Sequence, residues 1–327
     1  MKVSEIQAGR PVSGTFLASQ VEKRTARSGN DYLWTVLKDV SGDSIVALMF
    51  DAPPSTFDAV ESGTTVDVQG EADEFRGSIN VKIRSIQSAR EQWDATDLLP
   101  RSERSEDDML ASLDQFVLRI ENPHVRAVTE RVLSDPAVKE RLGNWPAAMR
   151  RHHAHIGGLL EHIFEVLTIA ETVGNLYPEV DMDLVYAGCI LHDIGKVIEL
   201  GMAADIDYTP AGVMVGHVTL GDELVARACA ETACPADTTL KLRNIVLSHH
   251  GTMEWGAPVL PKTAEAVAVH HIDQVSSQIR QTLDAVAKSR ARSSGDPVGQ
   301  WDRSWGRNWF IGKQSSEASD DGAPPKR

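Results

Sequence analysis

The amino-acid sequence predicts a multi-domain α and β protein, in which a small N-terminal β-barrel precedes an all-α helical bundle. Residues 1–90 contain short runs of alternating apolar and polar side chains, separated by turn sequences such as SGND, SGDS and ESG. This pattern is typical of β-strands. From about residue 111 the apolar side chains recur at i, i+3, i+4 and i+7, the period of amphipathic helices. With 327 residues and 42% hydrophobic content, the chain can supply two domain cores.

Five strands are predicted in the N-terminal region. They are VSGTFLASQVEKR, DYLWTVLKDV, SIVALMF, TTVDVQGEADEF and INVKIRSIQ. Five short strands within 90 residues suit a small barrel, either closed or partly open. The sequence therefore predicts that residues 1–90 fold as one β-domain.

A charged segment separates the predicted barrel from the helices. Residues 91–110 contain a proline and many charged side chains, which predicts a linker. Residues 111–288 form the predicted helical domain, in which two leading helices precede those that carry the histidines discussed below. The tail over residues 289–327 ends in a stretch with few apolar side chains, so we expect it to be partly disordered.

Charge and cysteine content exclude some classes of function. The formal net charge is −14, which argues against loose, charge-driven binding of nucleic acid, because phosphate affinity comes largely from Lys and Arg. A local basic groove or a metal-dependent phosphate site remains compatible with this charge. The three cysteines are widely spaced and form no CxxC pair. This argues against a disulfide framework and fits a reducing, cytoplasmic setting. We find no signal peptide or long apolar run, so no membrane partner is expected.

The histidines are concentrated in one part of the chain. Of the 11 histidines, 10 fall between residues 152 and 271. An ordered series of His and Asp residues lies on, or at the end of, successive predicted helices, and consists of His162, His192-Asp193, His217, His249-His250 and Asp273. The gaps between successive members are 30, 24, 32 and 23 residues, which is about one helix and one loop each. Antiparallel packing of such helices can bring all members to one level of a bundle.

This series predicts a metal centre. A single histidine on an apolar helix face is more often a hydrogen-bonded core residue than a ligand. Seven His and Asp residues at this regular spacing favour a set of ligands instead. Seven nitrogen and oxygen donors without a thiolate exceed what one tetrahedral zinc site uses. They suit two ions of the Mn, Fe or Zn kind that share a carboxylate. Asp193 is the predicted bridge, because adjacent helical residues diverge and its two oxygens can reach both ions.

The motif H…HD…H…HH…D resembles the HD-domain phosphohydrolase superfamily, in the longer form of its two-metal members. The phrase HHAHIGGLLEHIFEV at residues 152–166 is similar to the YhaM-type bacterial 3′→5′ exoribonucleases, which join an N-terminal OB-fold to an HD domain. The phrase SGNDYLWTVLKDVSGDSIVALMF resembles the OB-fold of the same group. The resemblance spans about residues 3–285 and implies an OB-type barrel followed by an HD domain.

The resemblance also implies a ligand set and a reaction. One ion would be held by His162, His192, Asp193 and Asp273, and the other by Asp193, His217, His249 and His250. The implied cofactors are two divalent ions, with Mn²⁺ expected and Fe or Zn as alternatives, and no Ser or Cys nucleophile is needed. Asp193 and Lys196 are the predicted catalytic residues. Lys196 can neutralise charge on phosphoryl oxygens, although a lysine here can also serve the helix C-terminus.

The implied partner is single-stranded RNA, with single-stranded DNA as an alternative. OB-type barrels bind single strands with aromatic side chains beside a basic groove. Tyr32 and Arg27 are therefore candidate substrate contacts on the barrel, and His153 is one in the helical domain. The barrel residues can equally belong to a core or serve protein contacts, since residues 1–93 hold 10 Lys and Arg against 13 Asp and Glu. A homo-oligomer is also conceivable from the resemblance.

Two other functions remain open from the sequence. The first is hydrolysis of mononucleotides or cyclic dinucleotides, but the GYP signature of cyclic-di-GMP hydrolases is absent after the HH pair, where the chain continues HHGTMEWGAPVLPKTAE. The second is a non-catalytic RNA-binding protein. The complete set of ligand types argues against this second alternative and favours a divalent-metal-dependent 3′→5′ exoribonuclease that releases nucleoside 5′-monophosphates.

Overall fold

A computed structural model describes residues 1–26, 28–40, 42–75, 78–149, 153–291 and 295–312. Two compact units divide the chain, one over residues 1–270 and the other from residue 271 onward. The first unit contains the barrel and most of the helices. Within the described residues, no helix combines the length and apolarity needed to cross a bilayer.

The N-terminal domain is a closed five-stranded barrel. Its elements are β1 Pro11–Thr25, β2 Asp31–Lys38, β3 Ser44–Phe50, the short helix α1 Pro54–Ala59, β4 Thr64–Phe75 and β5 Ser78–Ser88. The strand order is β1-β2-β3-β5-β4, and β1 also pairs with β4 to close the barrel. Among the described residues of the barrel, β3 and β5 pair in parallel and the other strand pairs are antiparallel. This is the strand order of a five-stranded OB-type barrel, and the five predicted strands are confirmed.

Alternation along the strands separates the core of the barrel from its outer face. Leu33, Thr35 and Leu37 of β2 are fully buried, whereas Tyr32 and Trp34, which alternate with them along the strand, are partly exposed. Because successive side chains on a strand point to opposite faces, this aromatic pair lies outside the core. Of the two possibilities that the sequence left open, the structure selects the outer face.

The region from residue 91 to residue 149 leads from the barrel into the helices. It contains a 3₁₀ turn at Ala95–Leu98, followed by α2 Glu106–Arg119, α3 Pro123–Leu133 and α4 Pro136–Arg141. Helix α2 begins inside the predicted linker, because the Ser105 side chain accepts a hydrogen bond from the Asp108 amide and caps the helix. The Asn122 side chain caps α3 in the same way.

The helical domain continues with the elements that carry the histidines. They are α5 Gly158–Leu176, α6 Met182–Leu191, α7 Lys196–Glu199, α8 Pro210–Val215, α9 His217–Glu231, α10 Ala236–Ser248 and α11 Ala264–Ala291. Every residue from Leu184 to Leu191 of α6 is buried, so α6 is the central helix of the domain. A two-stranded hairpin, β6 Leu200–Met202 and β7 Ile206–Tyr208, is an addition to the predicted all-helical pattern.

The barrel contacts the helical domain at this hairpin. Lys38, at the end of β2, is buried and donates from Nζ to the carbonyl oxygen of Ala204 at 3.0 Å. Its ammonium also forms an ion pair with Asp205. The hairpin follows directly after α7, the short helix that begins with Lys196.

The second unit is described by itself. It holds α11 from His271 and the segment 295–312. In that segment the Trp305 and Trp309 rings meet edge to face, with centroids 5.4 Å apart, and the Arg307 guanidinium lies over both rings. The expected disorder at the end of the tail concerns residues 313–327, which lie outside the described residues.

Candidate metal centre

Asp193 stands at the centre of a cluster of imidazoles. Helix α6 ends at Leu191, so His192 and Asp193 follow at its C-terminal end, where both side chains are buried. His162 is contributed by the second turn of α5, and His217 is the first residue of α9. His249 and His250 follow the last residue of α10. The helices therefore deliver side chains from four separate parts of the sequence to one place.

The two oxygens of Asp193 face different histidines. Oδ2 lies 3.6 Å from His162 Nε2 and 3.5 Å from His192 Nε2. Oδ1 lies 3.4 Å from His217 Nε2 and 3.6 Å from His249 Nε2. Two donors bound to one ion at about 2.0–2.2 Å are themselves roughly 3.0–3.5 Å apart. The four separations lie close to the upper end of that range, so the cluster is compatible with a carboxylate shared between two ions.

Three of the imidazoles are held in a defined orientation. The Nδ1 atom of His192 lies 3.0 Å from the carbonyl oxygen of Cys189, and that of His249 lies 2.7 Å from the carbonyl oxygen of Val246. His217 Nδ1 lies 2.9 Å from Glu199 Oε1. A carbonyl or carboxylate oxygen only accepts hydrogen bonds, so each Nδ1 is the protonated nitrogen. In the uncharged form of each ring the lone pair is then on Nε2, which faces the cluster as a metal ligand must.

Three buried nitrogens of the cluster have no hydrogen-bond partner among the residues that the structure describes. They are His217 Nε2, His249 Nε2 and His250 Nδ1. A buried polar atom without a partner costs stability, and a cation would satisfy all three. Burial, followed by the neighbouring His249 and His217, lowers the pKa of His250 to about 3. The His250 ring is therefore neutral near pH 7 and able to bind a metal. The residues present fit a divalent ion.

Asp193 is ionised although it is buried. Burial alone would raise its pKa, but Lys196 and His192 outweigh burial and hold the pKa of Asp193 well below its usual value. Lys196 Nζ lies 2.6 Å from Asp193 Oδ2. The lysine therefore contacts the Asp193 carboxylate directly, and it is positioned within the cluster rather than on the surface of the domain.

Glu199 is a functional residue that the sequence reasoning missed. Its Oε1 accepts hydrogen bonds from the His217 amide and from His217 Nδ1, both at 2.9 Å. This is the arrangement in which a carboxylate orients a metal-binding histidine. The only signal in the sequence is its position one turn after Lys196, in the segment KVIEL, which says nothing about a contact with a residue 18 positions later.

We expect Glu199→Gln to weaken the binding of one ion and to leave the binding of the other unchanged. The amide can still accept a hydrogen bond but carries no charge, so His217 becomes a poorer ligand. The loss in affinity for the ion at His217 should be about 10- to 100-fold. Competition of the metal-loaded protein against a chelator measures it, with Glu223→Gln, an exposed position of α9, as the matched control. Equal affinities for both variants would contradict this role.

The other predicted site residues lie in different parts of the structure, and one of them lies outside the described residues. Asp273 lies on α11 in the second unit, and its side chain is buried; its place in the centre stays a prediction. Tyr32 stacks on Phe50, with ring centroids 5.4 Å apart, on the outside of the barrel. Arg27 lies outside the described residues. His153 is buried in the loop before α5, with its ring centroid 5.6 Å from that of His162.

Glu161, beside His162, carries a strongly shifted pKa. A hydrogen bond from His155 lowers the pKa against the opposing effect of burial, and the result is a fall from 4.5 to about 2. In the unfolded chain the carboxylate takes up a proton below pH 4.5, whereas in the folded protein it does so only near pH 2. Its contribution to stability is therefore complete above pH 4.5 and is lost as the pH falls towards 2.

We therefore expect Glu161→Gln to flatten the acid branch of the stability curve. Below pH 4.5 the free energy of unfolding of the wild type should fall more steeply with decreasing pH than that of the variant. Urea titrations in the presence of a chelator, at several pH values on both sides of 4.5, measure the difference. Parallel curves for the two proteins would contradict the shifted pKa.

Comparisons with known proteins find similarities to separate parts of the chain. Residues 159–278 match the family model described as HD domain, a range that contains every predicted metal ligand. The chain is also similar to the solved second OB-fold domain of replication protein A from Methanococcus maripaludis, at 14% identity over 28% of this chain and 97% of that one, with a TM-score of 0.24.

Two further solved structures are similar to the chain. The protein priB from Ralstonia solanacearum is 15% identical over 25% of this chain and 99% of that one, with a TM-score of 0.20. The asparaginyl-tRNA synthetase of Entamoeba histolytica is 11% identical over 41% of this chain and 34% of that one, with a TM-score of 0.24. Similarities this low carry no inference about ligands. The chain joins an N-terminal five-stranded barrel of OB type to a helical HD domain that contains clusters of His and Asp able to hold a divalent metal ion.

Proposed function

We propose that this protein is a divalent-metal-dependent 3′→5′ exoribonuclease that hydrolyses single-stranded RNA stepwise to nucleoside 5′-monophosphates. The observation that carries the proposal is the division of imidazoles between the two oxygens of Asp193, with His162 and His192 on one side and His217 and His249 on the other. This arrangement suits a pair of ions, and paired ions are used for in-line displacement at phosphorus.

Seven residues would hold the ions. They are His162, His192, Asp193 and Asp273 for one ion, and Asp193, His217, His249 and His250 for the other. When bound, the ions would supply an activated water and charge compensation for the phosphate oxygens. Expected metals are Mn²⁺, Fe or Zn, because the donors are nitrogen and oxygen without thiolate.

The residues of the chain itself would bind and orient the substrate. Lys196 carries a positive charge 2.6 Å from Asp193 Oδ2, where it can attract a phosphate and stabilise the charge that develops on it. The carbonyl oxygens of Cys189 and Val246, together with Glu199, keep the imidazoles in one tautomer. No serine or cysteine is required as nucleophile.

The outer face of the barrel supports RNA as the substrate class. Tyr32 and Trp34 project from this face of β2, and Phe50 of β3 stacks against Tyr32. The Arg24 guanidinium lies 4.0 Å from the centre of the Trp34 ring. Exposed aromatic rings beside a cation are the elements with which OB-type barrels hold single-stranded bases. The barrel also contacts the hairpin that follows α7, and α7 begins with Lys196.

One experiment tests the proposal against its alternatives. Purified protein with Mn²⁺ is incubated with 5′-labelled single-stranded RNA or DNA, with cyclic dinucleotides and with mononucleotides, beside an Asp193→Ala control. The proposal predicts a ladder of products shortened from the 3′ end, which is absent in the variant. Hydrolysis of small nucleotides alone would select a nucleotide phosphohydrolase. Bound metal without hydrolysis of any substrate would select a non-catalytic RNA-binding protein.

Lys196→Met should lower the turnover number more than the metal content. If the ammonium stabilises charge on the phosphoryl oxygens, its removal should reduce kcat by about 10²- to 10³-fold at saturating Mn²⁺. Rates and metal content are measured together, with Lys241→Met, an exposed lysine of α10, as control. A normal kcat with reduced metal content would show instead that Lys196 serves only to compensate the charge of Asp193.

A further inference from the structure

A second group of imidazoles and carboxylates lies beside the metal centre, and none of its members is a metal ligand in the function proposed above. His153 and His155 belong to the loop that precedes α5, and Glu161 lies in the first turn of that helix. One donor atom from each of the three residues lies within 4.8 Å of the other two. All three side chains are buried or partly buried, so this is not an exposed acidic surface.

The distances within this group suit a single cation. His155 Nε2 lies 2.9 Å from Glu161 Oε2, and His153 Nδ1 lies 4.0 Å from the same oxygen. Donors bound at about 2.0–2.2 Å to one ion are roughly 3.0–3.5 Å apart. The observed separations bracket that range, so small side-chain rotations would bring all three donors onto one ion.

Neighbouring residues orient two of the three donors. His153 Nε2 lies 3.2 Å from Glu165 Oε2, one turn further along α5. A carboxylate on one ring nitrogen directs the other nitrogen towards a metal, which is the usual second contact of a metal-binding histidine. The Arg104 Nε atom lies 3.6 Å from Glu161 Oε1, so the arginine contacts one carboxylate oxygen while Oε2 faces the histidines.

The backbone holds His153 in this place at an energetic cost. His153 has a φ of 54°, a left-handed conformation that is uncommon for a residue other than glycine. Its carbonyl oxygen accepts a hydrogen bond from the Ala147 amide at 3.0 Å. A Cβ at Gly158 would lie 2.1 Å from the same oxygen, so this glycine permits the loop to pack against α5. Strain of this kind is typical of functional positions.

We propose that His153, His155 and Glu161 form a third metal site, which takes a divalent cation of the Zn²⁺ type. Two imidazoles and one carboxylate are a donor set that binds Zn²⁺ and leaves a fourth position open. The site is distinct from the centre around Asp193, because it shares none of its seven predicted ligands. The rings of His153 in this site and His162 in that centre lie next to one another, with centroids 5.6 Å apart.

The alternative is a pair of His–Glu contacts without a metal, His155 with Glu161 and His153 with Glu165. Both readings predict that His155 and Glu161 contribute to stability. Only the proposal of a metal site predicts that replacing His155 or Glu161 changes the number of ions that the folded protein binds. The test therefore measures metal content, and its outcome does not depend on the identity of the substrate.

The experiment compares the full-length wild type with His155→Ala, Glu161→Gln and His124→Ala after equilibrium dialysis against buffered Zn²⁺. His124 is exposed on α3 and belongs to neither cluster, so its variant is the matched control. The expected content is three ions per chain for the wild type and for His124→Ala, and two for the other variants. Two ions in every protein, or three in His155→Ala and Glu161→Gln, would overturn the proposal.

Folding and location are checked separately. Circular dichroism with a chelator present identifies a variant that does not fold. If His155→Ala fails to fold, the metal content of the nearly isosteric Glu161→Gln decides whether the third site exists. Crystals of the full chain soaked in Zn²⁺ should show an anomalous peak between His153 Nδ1 and His155 Nε2. Full peaks at the Asp193 centre without a peak at this position would also overturn the proposal. Loss of RNA hydrolysis in an assay would not bear on it.

Discussion

Asp193→Asn is expected to abolish hydrolysis and to remove at least one ion per chain. An asparagine has nearly the same shape, but one carboxylate oxygen is replaced by an NH₂ group, which donates hydrogen bonds and does not bind cations. The NH₂ group would then face one of the two pairs of imidazoles in place of an oxygen. That pair is either His162 with His192 or His217 with His249. The shared ligand would be lost whichever way the amide turns.

Asp193→Asn is expected to lower the rate strongly because Asp193 is the proposed ligand of both ions that act on the phosphate. Removal of a single preorganised group that stabilises developing charge costs about 10²–10³ in kcat. The loss of a ligand shared by both ions should cost at least about 10³, because it disturbs the position of both. Metal content after dialysis and the initial rate on 3′-accessible RNA are the two measurements.

The control for this change is Asp237→Asn, an exposed position near the start of α10. It alters the net charge by the same amount and should leave rate and metal content unchanged. If Asp193→Asn kept two ions and the full rate, the shared-carboxylate interpretation would be wrong. Loss of ions in both variants would point to net charge and not to the position of Asp193.

Gly195→Ala is expected to destabilise the protein and displace His217. The glycine has an ordinary helical φ of −61°, so its role is not conformational freedom. A Cβ at this position would lie 2.1 Å from the carbonyl oxygen of His217 and 2.6 Å from the amide nitrogen of Gly221. Both atoms belong to the backbone of α9, which cannot turn aside as a side chain would. Helix α9 would have to move away from Asp193 and take its ligand with it.

We expect Gly195→Ala to cost about 3 kcal/mol or more in the free energy of unfolding, at the upper end of the effects of overpacking. The matched control is Gly201→Ala in β6, where the nearest heavy atom to an added Cβ is 3.6 Å away. That change should stay within about 1 kcal/mol. Urea unfolding of the metal-free proteins measures both. Equal stabilities would show that α9 adjusts without cost.

The close approach of Gly195 to the backbone of α9 explains why a glycine stands in the sequence HDIGK. This reason differs from the one that the sequence suggests. The sequence suggests that Gly195 interrupts a helix, and α6 does end four residues earlier, at Leu191. The structure shows that the absence of a side chain is needed for contact between α9 and the turn after Asp193. The sequence contains no sign of that contact, because Gly195 and His217 are separated by 22 residues.

The sequence by itself determined the order of the elements and the types of ligand. The change from a two-residue to a 3.6-residue period separated a five-stranded barrel from a helical domain, because alternation and amphipathicity are local properties of the chain. The spacing of His162, His192, Asp193, His217 and His249 predicted that they meet, because each follows the previous one by about one helix and one loop.

Only the tertiary structure decided which atoms meet. The division of the imidazoles between Oδ1 and Oδ2 of Asp193, the contact of Glu199 with His217 and the cluster around Glu161 all depend on the packing of distant segments. Helical periodicity fixes the face on which a side chain lies, but not the depth or rotation of the helix that lies opposite. These depend on close packing of side chains across the interior.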